Sequence, residues 1–283
     1  MKTLLRSKSR EVVIDSAGPV VIIGESINPT RRKKLVETLT RHDFKYAIQL
    51  GQIQVDTGAD VLDVNVGFPG VDEVKMLPET VRALQEAIDV PLCIDSPNPS
   101  AIEAGLKVIN GRCLINSVNG EERSLAALLP MARDYNAAVI GLVMDEGGIT
   151  RDPEIRLKIA EKILDRAVKV GIREEDVVID PLAMAVSADP DACLVTLETI
   201  RLIHDKLGLN ITQGSSNISF GLPNREALNA AHMVLSIWNG LTCPIANPGK
   251  ITAIVRAVDL IRTSDYYALR FTEYFQNQEA LKG

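Results

Sequence analysis

The stretch Pro91-Leu-Cys-Ile-Asp95 is a short apolar run closed by a carboxylate. The pattern returns in Cys113-Leu-Ile-Asn116, in Val177-Val-Ile-Asp180 and in the segment ending Gly214-Ser-Ser-Asn217. Each reads as a buried strand with a hydrogen-bonding group at its C-terminal tip. In an α/β barrel such tips converge on one face, where the loops after the strands build the active site. Two carboxylates and two carboxamides, with no His, Cys or Lys among them, suit the reading of a flat heterocycle rich in donors. They do not suit a nucleophile paired with a base.

Around these runs, strand-like and helix-like stretches alternate. The expected strands are Val20–Glu25, Val61–Val66, Pro91–Ser96, Cys113–Val118, Ala137–Met144, Val177–Leu182, Asn210–Asn217 and Pro244–Asn247. The expected helices are Asp43–Thr57, Leu77–Ile88, Pro99–Val108, Leu125–Tyr135, Pro153–Val170, Asp191–Leu207, Arg225–Ile237 and Lys250–Thr263. Uninterrupted apolar strands alternating with helices imply a parallel sheet covered on both faces. Eight such units close naturally into a (β/α)8 TIM barrel; a doubly wound open sheet is the competing architecture. Ahead of the first unit, the β-like run Arg10–Asp15 and the turn residues Ser16–Pro19 predict a small N-terminal hairpin that plugs the barrel. Asp265–Gln276 predicts an extra helix at the other end. With no linker, repeat or low-complexity tract, residues 1–283 read as one domain.

Composition agrees. Apolar residues make up 46% and aromatics only 4%, so the core is aliphatic. A net charge of -6 and a pI near 5.3 argue against general nucleic-acid affinity. The N-terminus lacks the pattern of a signal peptide, and no apolar run approaches the roughly 20 residues that span a bilayer. Cys93, Cys113, Cys193 and Cys243 are scattered without a C-x-x-C pair. The expectation is free thiols in a reducing cytoplasm, no metal site and no membrane partner.

The candidate site residues differ in specificity. Glu25 and Asn28, in Glu25-Ser-Ile-Asn28, sit where ligand contacts belong, or else satisfy backbone at the rim. In Leu62-Asp-Val-Asn-Val-Gly67, the spacing of two puts Asp63 and Asn65 on one face. There a buried unpaired polar group costs several kcal/mol, so both need partners. Asn65 reads as a ligand contact and Asp63 as a supporting group bonded to Asn28 or to a neighbouring strand. Asp95, Asn116 and Asp180 form the sharpest cluster. An ionised Asp only accepts, whereas an Asn both donates and accepts. A 2-amino-4-oxo pyrimidine edge offers two adjacent donors that a carboxylate matches with parallel bonds. Helix capping is the competing role for each of these three alone. Gly214 and Ser216 suggest a backbone cradle, although no Lys or Arg lies within Gly214–Phe220. Asn217 can face a ring nitrogen, and Phe220 can stack on a flat ligand or fill the core.

Taken in order, Gly24–Asn28, Leu62–Gly67, Leu92–Ser96, Ile115–Ser117, Ile179–Leu182 and Ser216–Phe220 resemble the pterin-binding (folate) methyltransferases that work with corrinoid proteins. The resemblance covers Val12 to Thr263. It is nearest to single-domain enzymes that pass a methyl group between tetrahydrofolate and a separate corrinoid protein, such as those of acetogenesis and of glycine betaine demethylation. The folate module of cobalamin-dependent methionine synthase is similar too. The resemblance implies that Asp95, Asn116 and Asp180 hold the pterin. It implies that Asn217 bonds near N5 as the catalytic residue, with Ser216 and Gly214 shaping that wall. It implies tetrahydrofolate or 5-methyltetrahydrofolate as substrate, a corrinoid carried by the partner protein, a homodimer, and transfer from methylcorrinoid to tetrahydrofolate. Position 220 departs from the acetogenic pattern, which has Gln there. A dihydropteroate-synthase-like condensation is the alternative enzyme. It resembles a pattern with a Lys after strand seven and an Arg and a His after strand eight, where this chain has Gly214–Asn217 and Ala246–Gly249. A non-catalytic folate-binding barrel is the other alternative.

Overall fold

The computed structural model describes residues 1–280. Two strands, β1 (Lys2–Arg6) and β2 (Glu11–Asp15), pair antiparallel before the repeating units begin. The units then run β3 (Ile23–Ile27), α1 (Lys33–Thr40), α2 (Lys45–Asp56), β4 (Val61–Asn65), α3 (Glu73–Ala87), β5 (Leu92–Asp95), α4 (Pro99–Leu106) and β6 (Leu114–Asn119). They continue α5 (Glu122–Asp134), β7 (Ala138–Leu142), α6 (Pro153–Lys169), β8 (Val177–Asp180), α7 (Ala192–Leu207), β9 (Asn210–Gly214), α8 (Arg225–Trp238), β10 (Cys243–Ala246) and α9 (Pro248–Ile261), with α10 (Leu269–Ala280) last. Strands β3 to β10 form a closed barrel in chain order. The parallel pairing of Ile245 with Ile23 and Ala246 with Gly24 shuts it and excludes the open sheet.

Local chemistry sets the element ends. Asn98, Asp152 and Asn247 each cap a helix by accepting from backbone N–H groups two or three residues on, and each is followed by Pro in the first turn. Gly208 ends α7 in the left-handed conformation, at φ 63°. The first barrel strand begins later than the apolar run suggests. Val20 N–H donates to the Asp259 carboxylate and Ile22 N–H to Asp60, so carboxylates take two of the backbone donors there while Val21 N–H bonds Thr242 O. Helix α1 was not legible beside the basic run Arg31–Lys34; it is fixed by Leu35 and Leu39, buried one turn apart. No helix among the described residues is long and apolar enough to cross a membrane.

Side-chain alternation along the strands divides the core. Leu62, Val64, Ile94, Ile115, Val139, Ile179 and Ile211 point outward and pack with the helices. Ile23, Val61, Cys93, Leu114, Ile140, Val178 and Cys243 point inward. The inner cluster also holds Leu5, Val12 and Ile14, so the hairpin does plug the barrel. Its turn is Ser7–Arg10, closed by the Ser7 N–H bond to Arg10, while Ser16–Pro19 leads into the barrel. Asn210 clamps the plug by donating to Thr3 Oγ1 and Ile14 O, both at 2.9 Å. Leu5 is fully buried. Leu5→Ala is therefore expected to cost roughly 2–5 kcal/mol in chemical denaturation; an unchanged midpoint would contradict the plug.

Candidate active site

The inward rows change character toward the C-terminal ends of the strands. Two residues beyond Val61 comes Asp63, and two further Asn65; beyond Cys93 comes Asp95; beyond Leu114, Asn116; beyond Val178, Asp180; beyond Ile23, Glu25. Parallel register sets Asn65 beside Asp95 and Asp95 beside Asn116. The three residues therefore stand in one row across neighbouring strands.

Hydrogen bonds order this row. Asn65 Nδ2 donates to Asp95 Oδ2 at 2.9 Å, and Asn65 Oδ1 accepts from Gly67 N–H at 2.8 Å. Both ends of the Asn65 amide are thus engaged, and Asn65 orients Asp95. Asn116 Nδ2 donates to Asp63 Oδ1 at 3.1 Å, so Asp63 is bonded neither to Asn28 nor to an adjacent strand but across the barrel interior to β6, two strands away. Asn28 Oδ1 accepts from Thr30 N–H at 3.0 Å and builds the rim turn. Asp180 Oδ1 accepts from Leu182 N–H at 2.7 Å. Glu25 Oε2 accepts from Ser216 Oγ at 3.1 Å.

Burial governs the charges. It pushes Asp63 well above its ordinary value, and the neighbouring Asp95 pushes further in the same direction. Burial also lifts Asp95 to about 6, partly offset by bonds from Asn65 and Asp63. Of this pair Asp63 keeps its proton and Asp95 ionises first. Asp180 is raised to about 6 by burial, offset by the Leu182 and Gly214 N–H groups and by Arg156. Arg156, only 2% exposed, holds the loop after β8 by donating to Pro181 O and Leu182 O. Glu25 is raised by burial, against Ser216, Arg32, Arg225 and Lys250. Cys93, fully buried beside Asp63, is raised far enough to be inert as a nucleophile.

Asn217 is exposed on a short 3-10 turn, Ser215–Ser219, directly after β9. Its amide lies over Gly214, where an added Cβ would stand 3.0 Å from Nδ2 and push the carboxamide aside. The chain supplies a cation to this turn from outside Gly214–Phe220. Arg225 donates to Ser219 Oγ at 2.9 Å and to Ser216 O at 2.7 Å. Arg31 stacks over the half-exposed Phe220 ring at 4.8 Å, so Phe220 belongs to the rim and not to the core. Arg31 and Arg156 carried no signal in the sequence, because each reaches a motif residue from a segment far along the chain, and Arg225 lies just beyond the motif it braces.

A set of acceptors in the barrel mouth, with a carboxamide on the turn after β9, matches the chemistry of a planar donor-bearing ring. The protein family described as Pterin binding enzyme matches residues 24–247. The chain belongs to this family. Among relatives of this pterin binding enzyme, the methylcorrinoid:tetrahydrofolate methyltransferase of Eubacterium limosum is 29% identical over 267 residues, covering 91% of this chain and 96% of that one. Methionine synthase of Mycobacterium tuberculosis is 30% identical over 275 residues, covering 89% of this chain but only 23% of that protein. Dihydropteroate synthases share the fold. The Yersinia pestis enzyme with a pterine-sulfa conjugate superposes with TM-score 0.71 at 18% identity, over 93% of this chain and 99% of that one. The Xanthomonas albilineans enzyme in complex with 7,8-dihydropteroate gives TM-score 0.72 at 18% identity, over 92% and 99%.

The raised acid at Asp180 has a consequence for the ligand-free protein. Folding favours its neutral form, so its contribution to stability is full below about pH 4 and is lost as pH rises through about 6. Asp180→Asn removes that loss. Relative to the parent, the variant is expected to gain on the order of 2 kcal/mol between pH 4 and pH 7 in thermal or denaturant unfolding. A pH-independent difference would contradict the burial.

Proposed function

We propose that this pterin binding enzyme moves a methyl group between N5 of tetrahydrofolate and the cobalt of a separate corrinoid protein, in the direction methylcorrinoid to tetrahydrofolate. The observation that carries the reading is the acceptor row Asp95, Asn116 and Asp180 facing the turn that bears Asn217. Ionised Asp95 and Asp180 match the amino and ring N–H donors of a pterin. With Asn116 Nδ2 turned to Asp63, its carbonyl is the free end, able to accept a further amino proton. The names of both relatives support the same chemistry, methylcorrinoid:tetrahydrofolate methyl transfer in one and methionine synthesis in the other. The partner docks over the open rim, and the proposal includes a homodimer acting in the cytoplasm, the arrangement the family resemblance implies.

The bond that changes is between N5 and the methyl carbon. When N5 receives the methyl group, its lone pair forms the new bond, cobalt keeps the pair of the old one, and the N5 proton is released to solvent. In the reverse direction N5 keeps the pair and takes a proton. In both, the residues of this chain hold the ring in line, and orientation supplies most of the rate. Asn217 cannot give up a proton; its carbonyl can accept from a protonated N5, and its amide dipole stabilises charge that develops there. A condensation that expels diphosphate needs free cations at this wall. Here Gly214–Asn217 and Ala246–Gly249 carry no cation, and Arg225, beyond the first of them, is bonded to the turn.

Asn217→Ala is expected to lower turnover by about 10²-fold, with a smaller change in folate affinity. The readout is demethylation of free methylcobalamin in the presence of tetrahydrofolate, followed by absorbance, beside equilibrium binding. Equal losses in both would remove Asn217 from the chemistry. Asp180→Asn is expected to weaken folate binding first, and an unchanged affinity would overturn its place on the pterin edge.

A further inference from the structure

The loop that carries Asp180 is held from outside the barrel by one buried cation. Arg156, near the start of α6, is 2% exposed. Its donations all go to backbone carbonyls: Nε to Thr150 O at 2.9 Å, and Nη1 to Pro181 O at 2.7 Å and to Leu182 O at 3.1 Å. One guanidinium therefore joins the loop after β7 to the loop after β8. Leu182 stands in the left-handed region at φ 62°, where a Leu side chain is strained and persists only if its surroundings hold it. Its N–H donates to Asp180 Oδ1 at 2.7 Å. The strained residue is thus the one that sets the Asp180 carboxyl, and Arg156 grips its carbonyl. Thr196 Oγ1 reaches the same carbonyl only at 3.3 Å and makes its shorter bond, 2.9 Å, to Ala192 O. Taking a guanidinium out of water is costly, and packing alone does not call for a charge in this place.

We propose that Arg156 is a positioning residue for the pterin edge, fixing the left-handed turn at Leu182 whose N–H aims Asp180. The inference rests on the pterin reading above and deepens it. Arg156 acts first by geometry. Leu182 N–H takes one acceptor direction of the carboxyl, and Gly214 N–H, from the end of β9, bonds the same group. The directions left over are those that the amino and ring N–H donors of a pterin need. Arg156 acts also by charge. Leu182 N–H, Gly214 N–H and Arg156 all favour the ionised carboxyl, against burial. Cys243 of β10, the titratable neighbour on the other side, is pushed up to about 12 by burial and stays neutral. Asp180, and after it Asp189, favour the charge of Arg156 in turn, and Asp189 also pairs with Arg151 at 2.9 Å. A Lys at this position would keep the charge without the planar fork that spans three carbonyls.

The test follows two variants, Arg156→Lys, which keeps the charge, and Arg156→Gln, which removes it. The first readout needs no ligand: carboxyl-carbon NMR of the free protein, with the Asp180 signal assigned through Asp180→Asn. A carboxyl whose ionised form is less favoured takes up its proton at a higher pH. The Asp180 midpoint is therefore expected to move upward in Arg156→Gln and to stay near the parent value in Arg156→Lys. Asp95, which does not number Arg156 among the groups acting on it, is the internal control and should not move. The second readout is equilibrium titration with 5-methyltetrahydrofolate. Arg156→Gln is expected to bind roughly tenfold more weakly at about pH 7.5, the size of one charge-assisted hydrogen bond, and to lose its affinity at a higher pH on acidification. Arg156→Lys is expected to recover the parent's acid limb and only part of the affinity. An unmoved Asp180 midpoint in Arg156→Gln, or equal losses in both variants at every pH, would overturn the positioning role and leave the pterin reading standing. If Arg156→Gln does not fold, Arg156→Lys decides: affinity equal to the parent's would show that the hold on three carbonyls is not needed. Failure of the parent protein to bind 5-methyltetrahydrofolate would overturn the pterin reading and this role with it.

Discussion

Everything at this site follows from carboxylates placed inside the mouth of a barrel. Taking a carboxylate out of water costs several kcal/mol unless it is bonded or neutral. The chain meets that cost in three ways. Asp63 stays protonated and accepts from Asn116; Asp95 accepts from Asn65; Asp180 accepts from backbone N–H groups near Arg156. Only the last two retain unsatisfied acceptor capacity. On the proposed reading, that residual capacity is what a donor-bearing ring satisfies.

The barrel was legible because two periods agree. Apolar runs of strand length alternate with amphipathic helices, and the inward parity of each strand continues from apolar to polar at its tip. All eight barrel strands overlap the predicted runs; most are shorter, but β3 and β6 run past the predicted C-terminal ends and β10 begins one residue earlier. The start of β3 differs because Asp60 and Asp259 bind the backbone of Val20 and Ile22. The residue types of the site were legible for the same reason. Their partners were not, because an Asn at a strand tip looks the same whether it faces a ligand or its neighbour. Asn65 turns to Asp95 and Asn28 to its own rim loop. Arg31 and Arg156 reach the site through tertiary contacts that no local spacing records.

The same fold serves dihydropteroate synthases, and fold alone does not separate the two chemistries. On the proposed reading, what separates them is the turn after β9: an exposed carboxamide over Gly214, with no Lys or Arg within Gly214–Phe220. A site built this way positions a ring and leaves its top open. On the proposed reading, the reaction belongs to the ring nitrogen and to a partner that approaches from the rim.

The most direct test is a crystal structure of the enzyme with 5-methyltetrahydrofolate. The account requires the amino-pyrimidine edge within hydrogen-bond distance of Asp95, Asn116 and Asp180, with N5 turned to Asn217. A pterin bound outside the barrel mouth, or lying with N5 against Asp95, would contradict it.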